Sequence, residues 1–423
     1  MAKAQWGGSH LKQKYFEGLS RNTVLLACAS AFTDISTEML YPILPIFLIH
    51  TLGASGSVVG FIEGIAQASQ NIFQGFSGSL SDRLQKRKLI ALIGYFLSAV
   101  GKPAIGLSGT WQVLLCARFV DRFGAGIRSA PRDALLASSV DDQHRGKAFG
   151  LEGFGDNLGA FFGPLLTALF ILLQVEMHSI FYLSTIPGFL AFFTVFLVQE
   201  RVTQAQSGQV ELGQRESGQP ESNQVKSKIS LDVPLNRFPR TYWKYLLATA
   251  LFSFGNSSNA FLILQTREKG VSLSVTIIIY AAFNLVAALV SYPAGYLSDH
   301  LGRRNILFAS FAIFAVTYFG FAFTNNIVLI AILFISYGIY QGTFRSVGKA
   351  FAADLVPKHL QASGVGWYSA TMGLLGLFAS AVAGLLWDQI SHESVFIFGG
   401  ISAVMGMLSL LILMPAHRVT TGP

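Results

Sequence analysis

The chain has 423 residues, of which 52% are hydrophobic and only 12% charged, with 42 Gly and 36 Phe. Soluble domains carry roughly a quarter charged residues, so this composition excludes an ordinary water-facing globule and requires a lipid-facing surface. The formal net charge of +8 does not indicate nucleic acid, because the basic residues sit in short groups between apolar runs and form no continuous patch.

A membrane span needs about 20 mostly apolar residues. Twelve such stretches are predicted, starting near Thr23, Ser57, Lys88, Trp111, Lys147, Ser179, Trp243, Ser272, Asn305, Ile327, Gln361 and Val395. The first contains Leu25-Leu26-Ala27-Cys28, which superficially matches a lipoprotein box. The apolar stretch before Cys28 is about five residues, too short for a cleaved signal, so the run is read as a span. It carries Asp34 and Glu38 one turn apart, just before Pro42 and Pro45. The second span lines one side with Glu63, Gln67, Gln70 and Gln74. The fourth carries Arg118, Asp121, Arg122, Arg128, Arg132 and Asp133. At about 100° per residue these fall within an arc of roughly 140°. Such a face must look into the bundle or a wet cavity, never at lipid. Pro131 is expected to kink or end that helix.

The fifth span holds Glu152 and Asp156 one turn apart. Between spans six and seven lies a long connection, Gln199 to Thr241, whose Gln/Ser/Gly/Glu-rich centre is expected to be disordered. It divides the chain into an N-terminal six-helix bundle (1–200), a cytoplasmic linker (201–241) and a C-terminal six-helix bundle (242–423). The seventh span contributes Asn256 and Asn259, and the tenth Tyr337, Gln341, Arg345 and Lys349. Cys28 and Cys116, both inside apolar runs, suggest neither a disulfide framework nor a metal site. There is no Gly-x-x-x-x-Gly-Lys-Ser/Thr phosphate loop. An enzyme and a cofactor are therefore not expected.

Lys and Arg orient the spans. With the N-terminus in the cytoplasm, 21 Lys/Arg fall on cytoplasmic segments, Arg267 and Lys269 alone fall outside, and seven lie within spans. Both termini are thus expected in the cytoplasm.

The two halves repeat. Between spans two and three the chain reads Gly78-Ser-Leu-Ser-Asp82-Arg83-Leu-Gln-Lys86-Arg87; between spans eight and nine, Gly295-Tyr-Leu-Ser-Asp299-His300-Leu-Gly302-Arg303-Arg304. The offset is 217 residues, and the same offset relates Arg128-Ser-Ala-Pro-Arg132 to Arg345-Ser-Val-Gly-Lys349. Two matches with identical spacing indicate duplication of a six-helix unit.

At these residues the chain resembles the major facilitator superfamily, whose signature G-x-x-x-D-R-x-G-R-R follows the second helix of each half. Gln85 stands where Gly is usual in the first copy, and His300 where Arg is usual in the second. The resemblance implies an all-α integral membrane protein of twelve helices in two bundles, moving solute by alternating access about a midplane site. It implies a gating role for Gly78, Asp82, Arg83, Arg87, Gly295, Asp299, Arg303 and Arg304: glycines where helices approach, and acids facing helix N-termini and arginines. A plain positive-inside anchor is the alternative for the basic residues. The run from Asp121 to Asp133 resembles a D-R-x-G-x-G-I-R-x-x-P-R-D segment of bacterial facilitators, some linked to polycarboxylate siderophores. Gly155-x-x-x-Gly159-x-x-x-Gly163-Pro164 resembles a motif of facilitator exporters, with Thr167 and Ala168 in place of its last glycines. Ordinary small-residue packing is the alternative.

Two site readings follow. In one, Arg118, Arg122, Arg128 and Arg345, with Glu63, Gln67, Asn256, Tyr337 and Gln341, bind an anionic substrate, since guanidinium grips carboxylate bidentately. Asp34 or Glu38 then carries a coupling proton, there being no basic residue in that span. In the other, the acids and arginines simply neutralise each other. The expected function is proton-coupled transport of a small organic solute, with siderophore-like polycarboxylates as one class. A multidrug or amphiphile exporter, or less plausibly a transport-inactive sensor, is the alternative. A small-molecule substrate, protons and the lipid bilayer are the expected partners of a monomer in a bacterial inner membrane.

Overall fold

The computed structural model describes residues 19–84, 86–141, 145–200, 238–357 and 360–414, which form helices and short connections with no strand among them. Most of the expected linker, and with it the expectation of disorder there, lies outside the described residues.

Twelve helical segments follow in chain order. In the first half they are α1 (Arg21–Thr51), α2 (Gly56–Leu84), α3 (Arg87–Gly106), α4 (Trp111–Ala137), α5 (Arg145–Leu172) and α6 (Met177–Phe196). In the second half come α7, in two pieces (Arg240–Ser253 and Ala260–Glu268), then α8 (Leu273–Leu301), α9 (Arg303–Phe323), α10 (Ile327–Asp354), α11 (Gln361–Gln389) and α12 (His392–Leu413). Among the described residues, nine stretches are long and apolar enough to cross a membrane on their own. The segments that fall short are α2, α4 and α7. Polar residues stud α2, charges crowd α4, and α7 is interrupted, so these segments depend on their neighbours for shelter from lipid.

The interruptions have local causes. In α1, Pro42 and Pro45 remove amide donors, and the chain turns at Tyr41–Ile43 before one turn of helix and a π-helical stretch, Phe47–Thr51. Pro131, expected to kink or end α4, sits inside a helix that continues to Ala137. Between α8 and α9 the chain reverses at Gly302, whose φ of 88° suits only a residue without Cβ.

The packing is duplicated as the sequence is. In the first bundle α1 packs on α5 and α6, α2 on α4, and α3 on α4 and α6. In the second, α7 packs on α11 and α12, α8 on α10, and α9 on α10 and α12. Each pairing recurs six helices later.

Glycines set the closest approaches. A Cβ at Gly159 would lie 2.5 Å from the carbonyl oxygen of Ala31 and 2.7 Å from the Cβ of Asp34, and one at Gly163 would lie 2.9 Å from the Cβ of Glu38. The Gly155–Gly159–Gly163 stripe of α5 therefore seats α1, and holds Asp34 and Glu38 against α5.

The bundles meet chiefly through two helix pairs, α2 with α11 and α5 with α8, themselves related by the repeat. Asp388, at the end of α11, accepts hydrogen bonds from the backbone amides of Gly56 and Ser57 (both 2.7 Å), capping the start of α2. Nearby, a Cβ at Gly384 would stand 2.5 Å from the Gly56 carbonyl oxygen. Further in, Tyr41 stacks on Tyr280 with ring centroids 5.7 Å apart and shares a 3.1 Å hydrogen bond with Ser258. The hydrogen bonds between Tyr41 and Ser258, from Tyr280 and Asn284 to Glu38, from Asn284 to Ala160 and those joining Asp388 and Gly384 to the start of α2 lie at mid-depth or toward the end of the molecule that carries the α1–α2 connection.

Replacing Gly159 with alanine is expected to lower stability by about 1–3 kcal/mol, because rigid backbone must move to admit the methyl group. Gly295→Ala, at a position with nothing within 4 Å, should leave the melting temperature unchanged or slightly raised. Thermal unfolding of the two variants in detergent checks the contrast.

Candidate functional site

Where the bundles part, they enclose a cavity of about 680 Å³. Its wall comes from both halves: α1, α2, α4 and α5 on one side, α7, α8, α10 and α11 on the other. Of the residues expected to bind substrate, Glu63, Gln67, Arg122, Arg128, Asn256, Tyr337, Gln341 and Arg345 line it, as do Asp34 and Glu38. Arg118 does not. It is 2% exposed and lies behind the wall, where it bonds Glu63 and Asp121, both at 3.2 Å. Arg118, expected among the substrate-binding residues, is thus placed by the charged face of α4 toward α2, with its guanidinium ion-paired to Glu63 and Asp121.

Asp121 is the hub of this network and is fully buried. Besides Arg118 it bonds Arg122 at 2.9 Å, accepts a hydrogen bond from Ser98 at 2.6 Å and faces Lys102 at 3.6 Å. Buried charge is tolerated only when paired and hydrogen-bonded. Arg122 completes its bonding with Gln70 at 3.2 Å, so its guanidinium is fixed at the cavity wall by both neighbours. A second network holds Arg132, which bonds Asp133 and Glu152 at 2.9 Å each, reaches Asp156 at 3.9 Å and donates to Ser30.

Other charges have no such partner. Among the described residues Arg128, Arg345 and Lys349 have no carboxylate within 4 Å, and Asp34 and Glu38 have no cation within 4 Å. Arg128 lies over the ring of Tyr95 at 4.8 Å. Glu38 accepts hydrogen bonds from Tyr280 and Asn284 of α8, each at 3.3 Å, so an acid of one bundle is held by the other. The arginines of α4 thus divide between the two readings of the sequence: Arg118, Arg122 and Arg132 are paired, and Arg128 is not.

The break in α7 is the feature that span counting does not reveal. From Phe254 to Asn259 the regular helix stops, and Asn256, Ser257, Ser258 and Asn259 turn polar groups and backbone toward the cavity. Tyr337 donates to the Asn259 side-chain oxygen at 2.8 Å, and the Ser258 amide donates to the Ser380 hydroxyl at 3.1 Å. Gly255-Asn256-Ser257-Ser258-Asn259 is a cluster of helix breakers and was the available signal. Tyr41, Tyr280 and Asn284 also enter the site unannounced. Tyr280 and Asn284 stand one turn apart in an otherwise apolar stretch, a weak sign of a shared cavity face.

The sequence profile of the Major Facilitator Superfamily matches residues 26–265 and 245–423, which spans both bundles. An uncharacterized MFS-type transporter of Methanocaldococcus jannaschii, MJ1317, is 32% identical over 93% of this chain and 95% of its own length. The chain belongs to the major facilitator superfamily. It is therefore an integral membrane transporter and not an enzyme. The quinolone resistance protein NorA of Staphylococcus aureus is 29% identical over 40% of this chain and 43% of NorA. The nucleoside transporter NupG superposes with a TM-score of 0.73 over 93% of this chain and all of NupG, at 13% identity, a likeness of fold alone.

The facilitator signature residues fall at the end of the molecule opposite the Asp388 cap. The surroundings of Gly78 and the side chains of Asp82 and Arg83 lie outside the described residues. In the second copy Asp299 meets Arg303 at 3.5 Å, and Arg303 bridges onward to Asp354 at the end of α10. Arg304 donates to the Leu411 carbonyl at 3.2 Å. In the first half Glu200 accepts hydrogen bonds from the backbone amide of Arg87 at 2.9 Å, capping α3. Gly295, expected at a close helix approach, faces open space. These bonds stay within each bundle.

Asp121→Asn leaves Arg118, Arg122 and Lys102 short of their shared carboxylate and should cost about 3–5 kcal/mol, the loss seen when one partner of a buried ion pair is removed. Lys349→Gln, at an unpaired cation, should cost less than about 1 kcal/mol. Thermal unfolding of the purified variants checks both.

Proposed function

We propose that this facilitator is a proton-coupled carrier of a small organic anion, of the polycarboxylate class. One observation carries the reading: three cations without ion pairs, Arg128, Arg345 and Lys349, and two acids without ion pairs, Asp34 and Glu38, line a single cavity between the bundles. A charge left unpaired in a membrane interior is costly and marks a ligand or proton site. Guanidinium groups from both halves suit carboxylates, and the polar break in α7 offers further donors. Asp34 and Glu38 are the residues proposed to exchange protons, and Gln67, Asn256, Tyr337 and Gln341 to orient the substrate.

The excess of Lys and Arg on one set of connections supports cytoplasmic termini and a cytoplasmic linker joining the six-helix halves. In that orientation the end sealed by Asp388 and Tyr41–Tyr280 faces outward, and the cavity opens inward. The gate residues Asp299, Arg303 and Arg304, with Gly78, Asp82, Arg83, Arg87 and Gly295, would engage when the inner side closes. A bacterial inner membrane and a monomeric carrier complete the reading.

Export of amphiphilic drugs is a second reading, favoured by the similarity to NorA. Reconstituted vesicles separate the two. For the anion carrier, an imposed pH gradient drives labelled carboxylate and leaves cationic dyes unmoved. Arg345→Gln should raise the half-saturating carboxylate concentration roughly 10- to 100-fold, the equivalent of ~1.5–3 kcal/mol for a charge-assisted hydrogen bond. Movement of dyes with no carboxylate transport would replace this reading by the second.

A further inference from the structure

The charges around the cavity balance, and the balance restricts what can travel. The Asp121 network holds three cations, Lys102, Arg118 and Arg122, on two carboxylates, Asp121 and Glu63, and so has one positive charge in excess. The Arg132 network holds one cation on three carboxylates, Asp133, Glu152 and Asp156, and has two negative charges in excess. The unpaired groups, Arg128, Arg345 and Lys349 against Asp34 and Glu38, contribute one positive charge in excess. With every group ionised, the empty site is neutral. A carrier must carry its loaded site through the low-dielectric interior, where each uncompensated charge is costly. An anion entering alone would leave the site negative by its full charge.

Protons can restore neutrality only where an acid is free to take them. Asp121 and Glu63 hold three cations between them, and protonating either would strand a cation; Asp133, Glu152 and Asp156 are each already engaged with Arg132. Asp34 and Glu38 hold none. Asp34 faces Asp156 on α5, Glu38 on its own helix, and Arg128 and Arg132 on α4. Glu38 faces Arg122 on α4 and Arg345 on α10, with Tyr280 and Asn284 of α8 bonded to its carboxylate. The cavity therefore has two proton sites, each close to an arginine that needs a negative partner once the acid is neutral. Those arginines, Arg128 and Arg345, occupy equivalent positions in the duplicated halves and come from opposite bundles.

We infer that the carrier moves a doubly negative organic anion together with two protons, one on Asp34 and one on Glu38, with Arg128 and Arg345 each taking one anionic end, so that the loaded site is electrically neutral. This rests on the anion-carrier reading above and adds the charge of the substrate, the direction of coupling (anion and protons travel the same way) and the proton count. Glu38 has a second consequence. Its carboxylate accepts hydrogen bonds from Tyr280 and Asn284 across the bundle interface. Both bonds fall on one oxygen, Oε2; protonation removes the charge that strengthens them, so loading weakens the bridge that keeps the outer side shut.

The test uses the full chain in vesicles carrying an internal pH dye, with succinate, glutarate and adipate as labelled probes and the membrane potential set by valinomycin and potassium. The expected result is uptake of at least one dicarboxylate that acidifies the lumen by two protons per anion and does not respond to the potential. Uptake that follows the potential, or a proton count other than two, overturns the inference and leaves the anion-carrier reading intact. No movement of any of the three dicarboxylates overturns both. Asp34→Asn and Glu38→Gln are each expected to carry one proton per anion, and their residual uptake should become potential-sensitive. A variant that remains electroneutral overturns the assignment of its acid. If a variant does not fold, the wild-type proton count and potential dependence decide the inference alone.

Discussion

A carboxylate buried among cations organises this protein. Asp121 sits in the membrane interior with Arg118, Arg122 and Lys102 around it and Ser98 donating to it. None of these four charged side chains could stay in a low-dielectric interior alone. Together they tie α3 to α4, and through Glu63 they tie both to α2. The rigid wall so formed presents one guanidinium, Arg122, to the cavity. The paired charges make the scaffold; the charges left unpaired, further along the same helix and on the opposite bundle, remain available for ligand and protons.

The bundles are packed by small residues and separated by large polar ones. Within the first bundle, the glycines of α5 bring α1 so close that Asp34 and Glu38 rest on the helix backbone. Between the bundles, the glycines at the start of α2 and the end of α11 bring those helices together under the Asp388 cap. Toward the opposite end the cavity is lined by Arg132 and Asp156 of one bundle, joined in one ion-pair network, and by Lys349 of the other. Steric fit closes one end, while the other end of the cavity is lined by charged side chains from both halves.

The broken helices place polar backbone where transport needs it. Irregular backbone survives at membrane depth only when it lines a cavity or is buried in protein. The gap in α7 meets this condition: its residues face the cavity and are held by Tyr337, Ser380 and Tyr41 from three other helices. The irregular stretch of α1 around Pro42 and Pro45 lies among buried apolar side chains instead, and serves to redirect the chain toward α2.

The sequence by itself determined the membrane class, the twelve segments, the duplication and the family. Each of these is a local or periodic property: apolar runs, a 217-residue offset and a signature in two copies. It also marked α4 as a helix with a charged inward face, because the helical period places all six charges on one arc. It did not determine which of those charges would pair. Arg118 and Arg128 look alike in sequence, yet Glu63 of α2 and Asp121 pair with the first, while the second lies over the ring of Tyr95 with no carboxylate within 4 Å among the described residues. Nor did it reveal that Tyr280 and Asn284 of α8 would hold Glu38 of α1, 242 and 246 residues away. Pairing in a membrane interior depends on which helix stands opposite at a given depth. That is fixed by the packing of glycine-lined seams over the whole bundle, and only the tertiary structure decides it.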